Sequence, residues 1–220
     1  MDLIRKNLIL GKPLYSITET GFIVIYNSKY DYASNAGIMQ LIIKYGKVIL
    51  DDEFNAPIPF IVNGVRVLIC GKQFNHPLDN LPSSLRVLQI GAVRDRFYCE
   101  FSKSITNLPH GLEDLRLFAL KRNDVIPRDL GNYLPSTIKY LYMNVDWTID
   151  INLLPDSIEE LYIKQNHIIL ENVARIPANL KLLCGDSNDC KFRVEMKEKF
   201  PRIEIQSVSL DDYWMRYNKY

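Results

Sequence analysis

Three histidines, four cysteines and one acidic run are the residues whose chemistry needs testing first. His76, His110 and His167 fall in turn-like stretches, far apart and without a ligand-spaced partner, so solvent-exposed loop positions are expected. Cys70, Cys99, Cys184 and Cys190 make no C-x-x-C pair and no zinc-ligand spacing. Cys70 and Cys184 lie in strand-like runs, where a thiol acts as a small apolar group. Asp51-Asp52-Glu53 could gather a cation through carboxylate oxygens, but a solvated loop is the simpler reading. The chain contains no G-x-S-x-G elbow, no phosphate-cradling glycine loop and no H-E-x-x-H helix. The expectation is therefore no enzyme, no metal and no cofactor. What remains is recognition chemistry. Arg116 and Phe118, then Tyr140 and Tyr142, then Tyr162 stand in short alternating runs, and tyrosine and arginine are enriched at binding hot spots.

The runs that carry these residues are copies of one another. Leu81–Ile90 reads L-P-S-S-L-R-V-L-Q-I, Leu108–Leu117 reads L-P-H-G-L-E-D-L-R-L, Leu134–Met143 reads L-P-S-T-I-K-Y-L-Y-M and Leu154–Ile163 reads L-P-D-S-I-E-E-L-Y-I. Ile176–Leu183 begins a fifth copy, I-P-A-N-L-K-L-L. Aligned on Pro82, the equivalent positions are Ile42, Val62, Pro82, Pro109, Pro135, Pro155 and Pro177, at intervals of 20, 20, 27, 26, 20 and 22 residues. That period is in the leucine-rich-repeat range. The first two copies lack the proline but keep Tyr45-x-x-Val48-x-Leu50 and Val65-x-x-Leu68-x-Cys70, which makes about seven copies.

The pattern dictates a shape. Proline has no N–H to give a sheet ladder and extends the residue before it, so it belongs just ahead of the strand. The small polar residues after it suit a turn with proline at the second position. The following L-x-x-L-x-Φ alternates with period two, so Leu88 and Ile90 point inward and Gln89 outward. About 20 residues leave no room for a long helix, so the return path is expected to be extended or short 3₁₀. A lone copy buries too few side chains to offset its ordering entropy, and neighbours must supply the rest. The fold class expected is a β-rich leucine-rich-repeat solenoid, with a parallel sheet on the concave face and non-repeat caps at both ends.

A second column runs ahead of the prolines: Phe54…Ile58, Phe74…Leu78, Phe101…Ile105, Ile126…Leu130, Trp147…Ile151 and Ile169…Val173. These should fill the convex side of the core, with Asn55 and Asn75 bonding the backbone of adjacent coils. The stretch Phe74–Gly91, F-N-H-P-L-D-N-L-P-S-S-L-R-V-L-Q-I-G, resembles the FNIP repeat, a leucine-rich subclass of social amoebae and of giant viruses that infect amoebae. Weaker copies extend the resemblance over roughly residues 39–188. Ser102 replaces the asparagine in one copy, and the Trp147 and Ile169 copies keep only apolar character. The resemblance implies a protein-binding role. Many FNIP proteins resemble F-box adaptors, although residues 1–38 here do not read as an F-box helix bundle.

Residues 1–38 are expected to be a β cap, with strands at Leu8–Leu10 and Phe22–Tyr26. The repeats are expected over 39–188. Residues 189–220 should form a second cap: a helix over Asp189–Phe200 stopped by Pro201, a strand at Ile203–Ile205 and an aromatic tail. The charge is nearly balanced, at 27 basic and 26 acidic residues. No apolar run reaches the roughly 18 residues of a membrane span, and the amino terminus does not read as a signal peptide. Neither nucleic acid nor membrane is expected as a partner, and the reading is a reduced, cytoplasmic protein (host cytoplasm if viral).

The outward positions should line the concave face. Their centre column is Ile49, Ile69, Gln89, Arg116, Tyr142, Tyr162 and Cys184, with Phe118 and Tyr140 on its flanks. The two long repeats insert residues after the strand that carry Arg94, Arg96, Lys121 and Arg122. Insertions in solenoids often map to the binding face. A partner site is expected around Tyr142, with an aromatic floor and that basic rim. Alanine at Tyr142 or Arg116 should then weaken binding without lowering the melting temperature. The competing reading is that tyrosine is a favoured strand residue and the arginines only solubilise. Two functions remain: a non-catalytic scaffold or adaptor, monomeric, for an unidentified protein partner, or a structural, self-assembling and virion-associated protein.

Overall fold

The computed structural model describes residues 8–9, 12–91, 99–118, 120, 129–144, 149–163, 172–185 and 190–207. Strands β1 (Leu8–Ile9) and β2 (Lys12–Pro13) form a small antiparallel pair. All other described strands join one 10-stranded sheet, laid down in chain order. They are β3 (Tyr15–Ile17), β4 (Ile23–Ile25), β5 (Lys47–Leu50), β6 (Val67–Cys70), β7 (Val87–Ile90), β8 (Asp114–Phe118), β9 (Tyr140–Asn144), β10 (Glu160–Ile163), β11 (Leu182–Gly185) and β12 (Glu204–Ser207). Only β3 and β4 pair antiparallel; from β4 to β12 every pairing is parallel.

The register stacks the repeat leucines. Val48 pairs with Leu68, Leu68 with Leu88, Leu88 with Leu115, Leu115 with Leu141, Leu141 with Leu161 and Leu161 with Leu183. Ile23 and Ile205 extend this column into the caps. Its repeat members are all buried, as are the partners two residues on (Leu50, Cys70, Ile90, Leu117, Met143 and Ile163). A one-residue slip in any strand would turn both columns out to solvent. The register makes the chain a β-rich leucine-rich-repeat solenoid.

The convex side closes the core as expected from Phe54, Phe74 and Phe101, all buried; the rings of Phe74 and Phe101 stack with centroids 6.2 Å apart. The asparagine column links coils: Asn55 Oδ1 accepts from the Asn75 N–H at 3.0 Å, and Asn75 Oδ1 accepts from Ser102 N–H and Oγ–H at 2.9 and 3.0 Å. Ser102 thus holds the next link although it lacks the amide. Short 3₁₀ turns occupy Leu130–Asn132 and Ile151–Leu153. Trp147, Ile126 and Ile169, expected in the same column, lie outside the described residues.

Two expectations need correction. The turns ahead of the strands carry proline first, not second. The carbonyls of Pro82, Pro109, Pro135, Pro155 and Pro177 accept from the N–H three residues on, at 3.0, 3.0, 3.1, 3.3 and 3.1 Å. Proline supplies that acceptor without needing a donor of its own, and Val62 does the same for Val65 at 3.1 Å. The second correction is at Ile42. Ala36–Tyr45 is a helix, α1, that runs across positions 38 and 39 and holds Ile42 in place of the turn residue. Asn35 caps its start, accepting from Ile38 N–H at 3.0 Å, and Gly46 ends it in the left-handed region at φ 64°. Ile38 and Ile42, four apart, bury one face against the core. At the other end α2 (Cys190–Lys199) and β12 follow the expected order, and Met196 and Ile203 are buried against the last coil.

Candidate functional site

The outward side chains of β5 to β11 form the concave face, and their chemistry changes along the sheet. Over β5–β7 it is apolar. Phe22, Val67 and Val87 form a small buried cluster with half-buried Ile49 and Ile69 packed against it. Lys47 Nζ sits 5.3 Å from the centre of the Phe22 ring, a cation–π distance. This half of the face was not singled out from sequence. Its signal was present in Val65-Arg66-Val67-Leu68-Ile69-Cys70, where the outward positions break the polar alternation.

Over β8–β10 the face becomes polar and aromatic. Arg116 Nε donates to Asp114 Oδ1 at 2.9 Å, and Arg116 Nη2 donates to Asp114 Oδ2 at 2.6 Å. Both residues sit on one strand, two apart and pointing the same way, which lets the guanidinium fork meet the carboxylate. Both are buried. Burial raises the Asp114 carboxyl above its usual range, against the opposing pull of Arg116. Gln89, on the neighbouring strand, donates from Nε2 to the Gly91 carbonyl at 3.0 Å.

The aromatic side chains expected to form a floor are brought together. Phe118 and Tyr142 have ring centroids 4.9 Å apart at 53°. Tyr142 and Tyr162 stack at 4.3 Å and 12°. The stack follows from parallel pairing of Arg116, Tyr142 and Tyr162, which sets equivalent side chains one strand spacing apart. Phe118, Tyr142 and Tyr162 are buried, whereas Tyr140 on the flank is half-buried. Burial, with Glu160 beside it, pushes the Tyr140 hydroxyl up. Arg94, Arg96, Lys121 and Arg122, the expected basic rim, lie outside the described residues.

The groups tested first for other chemistry are held structurally. Asp52 Oδ1 accepts from the Lys72 N–H of the next coil at 3.2 Å. His76 is half-buried beside Phe74 and His110 is exposed in a turn, while His167 lies outside the described residues. Cys70, Cys99 and Cys184 are buried thiols; burial pushes Cys99 up to about 11 and Cys70 well above its usual range. Among the described residues, no three His, Cys, Asp or Glu side chains gather as metal ligands, and no helix is long and apolar enough to cross a membrane.

No protein-family model matches the chain, and no curated protein matches it. Among solved structures the chain is similar to the crystal structure of CroV588, described as a novel circular LRR protein structure, at 23% identity and a TM-score of 0.38. The match covers 77% of this chain and 31% of that one, so the chain spans less than a third of that protein's length.

Proposed function

We propose that this chain is a non-catalytic protein-interaction module, a scaffold or adaptor of the FNIP-like leucine-rich class, that takes its partner on the concave face. The observation that carries the reading is the in-register row of Phe118, Tyr142 and Tyr162 beside the Asp114–Arg116 pair. Tyrosine and arginine are the residue types enriched at binding hot spots, and half-buried Ile49, Ile69 and Tyr140 leave the same face within reach of a partner. Seven outward-facing repeat strands at about 4.8 Å give a surface roughly 30 Å long, enough for a standard interface.

The test is capture of a partner from an amoebal lysate by the full chain and by face variants chosen among the half-buried positions. Ile69→Lys and Tyr140→Ala should abolish or sharply reduce capture, and Asn80→Lys, on the exposed convex side, should leave it intact. Equal capture by all three variants would remove the concave face from the reading. Light scattering separates the self-assembling alternative: a monomer at all concentrations supports the adaptor, and growth in mass with concentration supports assembly.

A further inference from the structure

A ladder of charge runs along the edge of the sheet where the repeat strands begin. Arg66, Arg86, Glu113, Lys139, Glu159 and Lys181 each stand one residue ahead of a strand. From Arg86 on, each backbone N–H donates to the carbonyl of the member before it, at 2.8 or 2.9 Å. The sign alternates at every step from Arg86 to Lys181, and the charges pair within the ladder. Glu113 lies 3.8 Å from Arg86 and 3.0 Å from Lys139, and Glu159 lies 2.5 Å from Lys181. Arg66 breaks the rule. It has Arg86, of the same sign, on one side and Gly46 on the other, and like charges opposite each other on neighbouring strands repel. Lys47, the residue after Gly46, adds a second cation beside Phe22. Among the described residues neither Arg66 nor Lys47 forms an ion pair. This unmatched end borders the apolar part of the concave face that a partner can reach. Val24, Ile49 and Ile69 stand in register there and are half-buried, whereas Gln89, one strand on, is 4% exposed.

We propose that the β4–β6 end of the concave face docks an acidic segment of a partner protein that carries an aliphatic anchor. The anchor seats on Val24, Ile49 and Ile69, and a carboxylate takes the place beside Arg66 and Lys47 that the alternation leaves unfilled. The inference rests on the reading of the concave face as a protein-binding surface and names the chemistry of what it takes. Ile69 lies three residues beyond Arg66 on one strand, roughly 10 Å. Carboxylate and anchor therefore stand about three residues apart in an extended segment. Exposed charges add little to affinity, but they choose the partner and set its orientation. Asp51 and Asp52, just past the other end of β5, repel the same carboxylate, so one orientation is favoured. Those two acids and the apolar floor also disfavour a phosphate backbone, which needs a continuous row of cations.

The test is selection from a random peptide library displayed on phage, panned on the immobilised full chain and, in parallel, on Arg66→Glu. On the unaltered chain the enriched peptides should carry Asp or Glu three residues from Leu, Ile or Val. On Arg66→Glu that acidic preference should vanish or turn to Lys and Arg. The melting temperature should hold or rise, because the substitution completes the alternation with Arg86. Arg66→Ser, which only removes the charge, should weaken binding of the enriched peptides several-fold. Enrichment without an acidic preference, a preference unchanged by Arg66→Glu, or no enrichment above the blank support would overturn the proposal. Peptides lost in Tyr140→Ala but kept in Arg66→Glu would place the partner on the aromatic half, leaving the protein-binding reading intact and this inference overturned. Binding of phosphatidylserine vesicles or of a single-stranded oligonucleotide, lost in Arg66→Glu, would assign the cations to phosphate and overturn it as well. The selection needs no natural partner, so failed capture from a lysate is a separate result.

Discussion

The Asp114–Arg116 pair is the residue-scale feature with the sharpest consequence. Its two charges lie out of water and meet through contacts at 2.9, 3.1 and 2.6 Å. Removing Asp114 takes the carboxylate away from a buried guanidinium, so Asp114→Ala should cost about 3–5 kcal/mol. Replacing both by apolar residues of similar volume, Asp114→Leu with Arg116→Met, should be near neutral or stabilising; urea denaturation of the two variants checks the contrast. A double variant as damaged as the single one would show that the pair holds something besides itself. Burial also changes what alanine at Tyr142 reports. An exposed tyrosine could be trimmed without touching stability, but removing this ring leaves a cavity costing about 3–5 kcal/mol, so the melting temperature falls. Asp156, in the turn ahead of β10, gives the pH dependence. Its Oδ1 accepts from Ala178 N–H at 2.8 Å and is paired with Arg175, and the backbone bond, then Arg175, holds its carboxyl below the usual range. A depressed folded value means stability that is present above the unfolded carboxylate range and is lost as pH falls through the folded value. Asp156→Asn should therefore flatten the acid limb of a melting-temperature profile below about pH 4 and change little at pH 7.

At the scale of the element, α1 depends on its two ends. Among the described residues, Asn35 supplies the only side-chain oxygen bonded to the helix's first-turn donors, so Asn35→Ala should cost about 1 kcal/mol. Gly46 has φ 64°, and a Cβ there would come within 2.7 Å of the Gly64 carbonyl oxygen. Gly46→Ala combines left-handed strain with that contact and should cost more than the cap variant; thermal unfolding of the two ranks them. The helix also shows why part of the fold was hidden in the sequence. The strands were legible because each coil must present the same inward pair, so Leu88, Leu115, Leu141 and Leu161 recur in one frame. Ile42 fits that frame at the interval of 20 residues, yet it also sits four residues after Ile38, and local capping by Asn35 and Gly46 decides for the helix. The ladder Phe118–Tyr142–Tyr162 was legible because period-two alternation fixes the face of every strand residue. Its burial was not, since alternation says which face a side chain takes and nothing of what lies over it. Nor was the turn at the prolines, where an N–H-free residue fits the first position as well as the second until the hydrogen bond is seen.

The whole molecule is a one-dimensional stack, and its response to damage should follow that geometry. In the large sheet, strand order is chain order without a crossover, so β8 touches β7 and β9 while β4 meets it only through three intervening strands. Stability in such a body is close to a sum of coil terms and nearest-neighbour terms. Leu115 is the middle of the leucine column, fully buried between Leu88 and Leu141. Leu115→Ala should cost about 2–5 kcal/mol by leaving a cavity that stacked coils cannot close without losing register. In such a nearest-neighbour stack the effect on amide exchange is largest in β7, β8 and β9 and decays evenly towards both ends. Hydrogen exchange on Leu115→Ala should therefore show protection lost first in β7, β8 and β9 and kept longest at both ends of the sheet. Loss that is uniform from β4 to β12 would instead show a globally cooperative unit in which the coils have no separate terms at all.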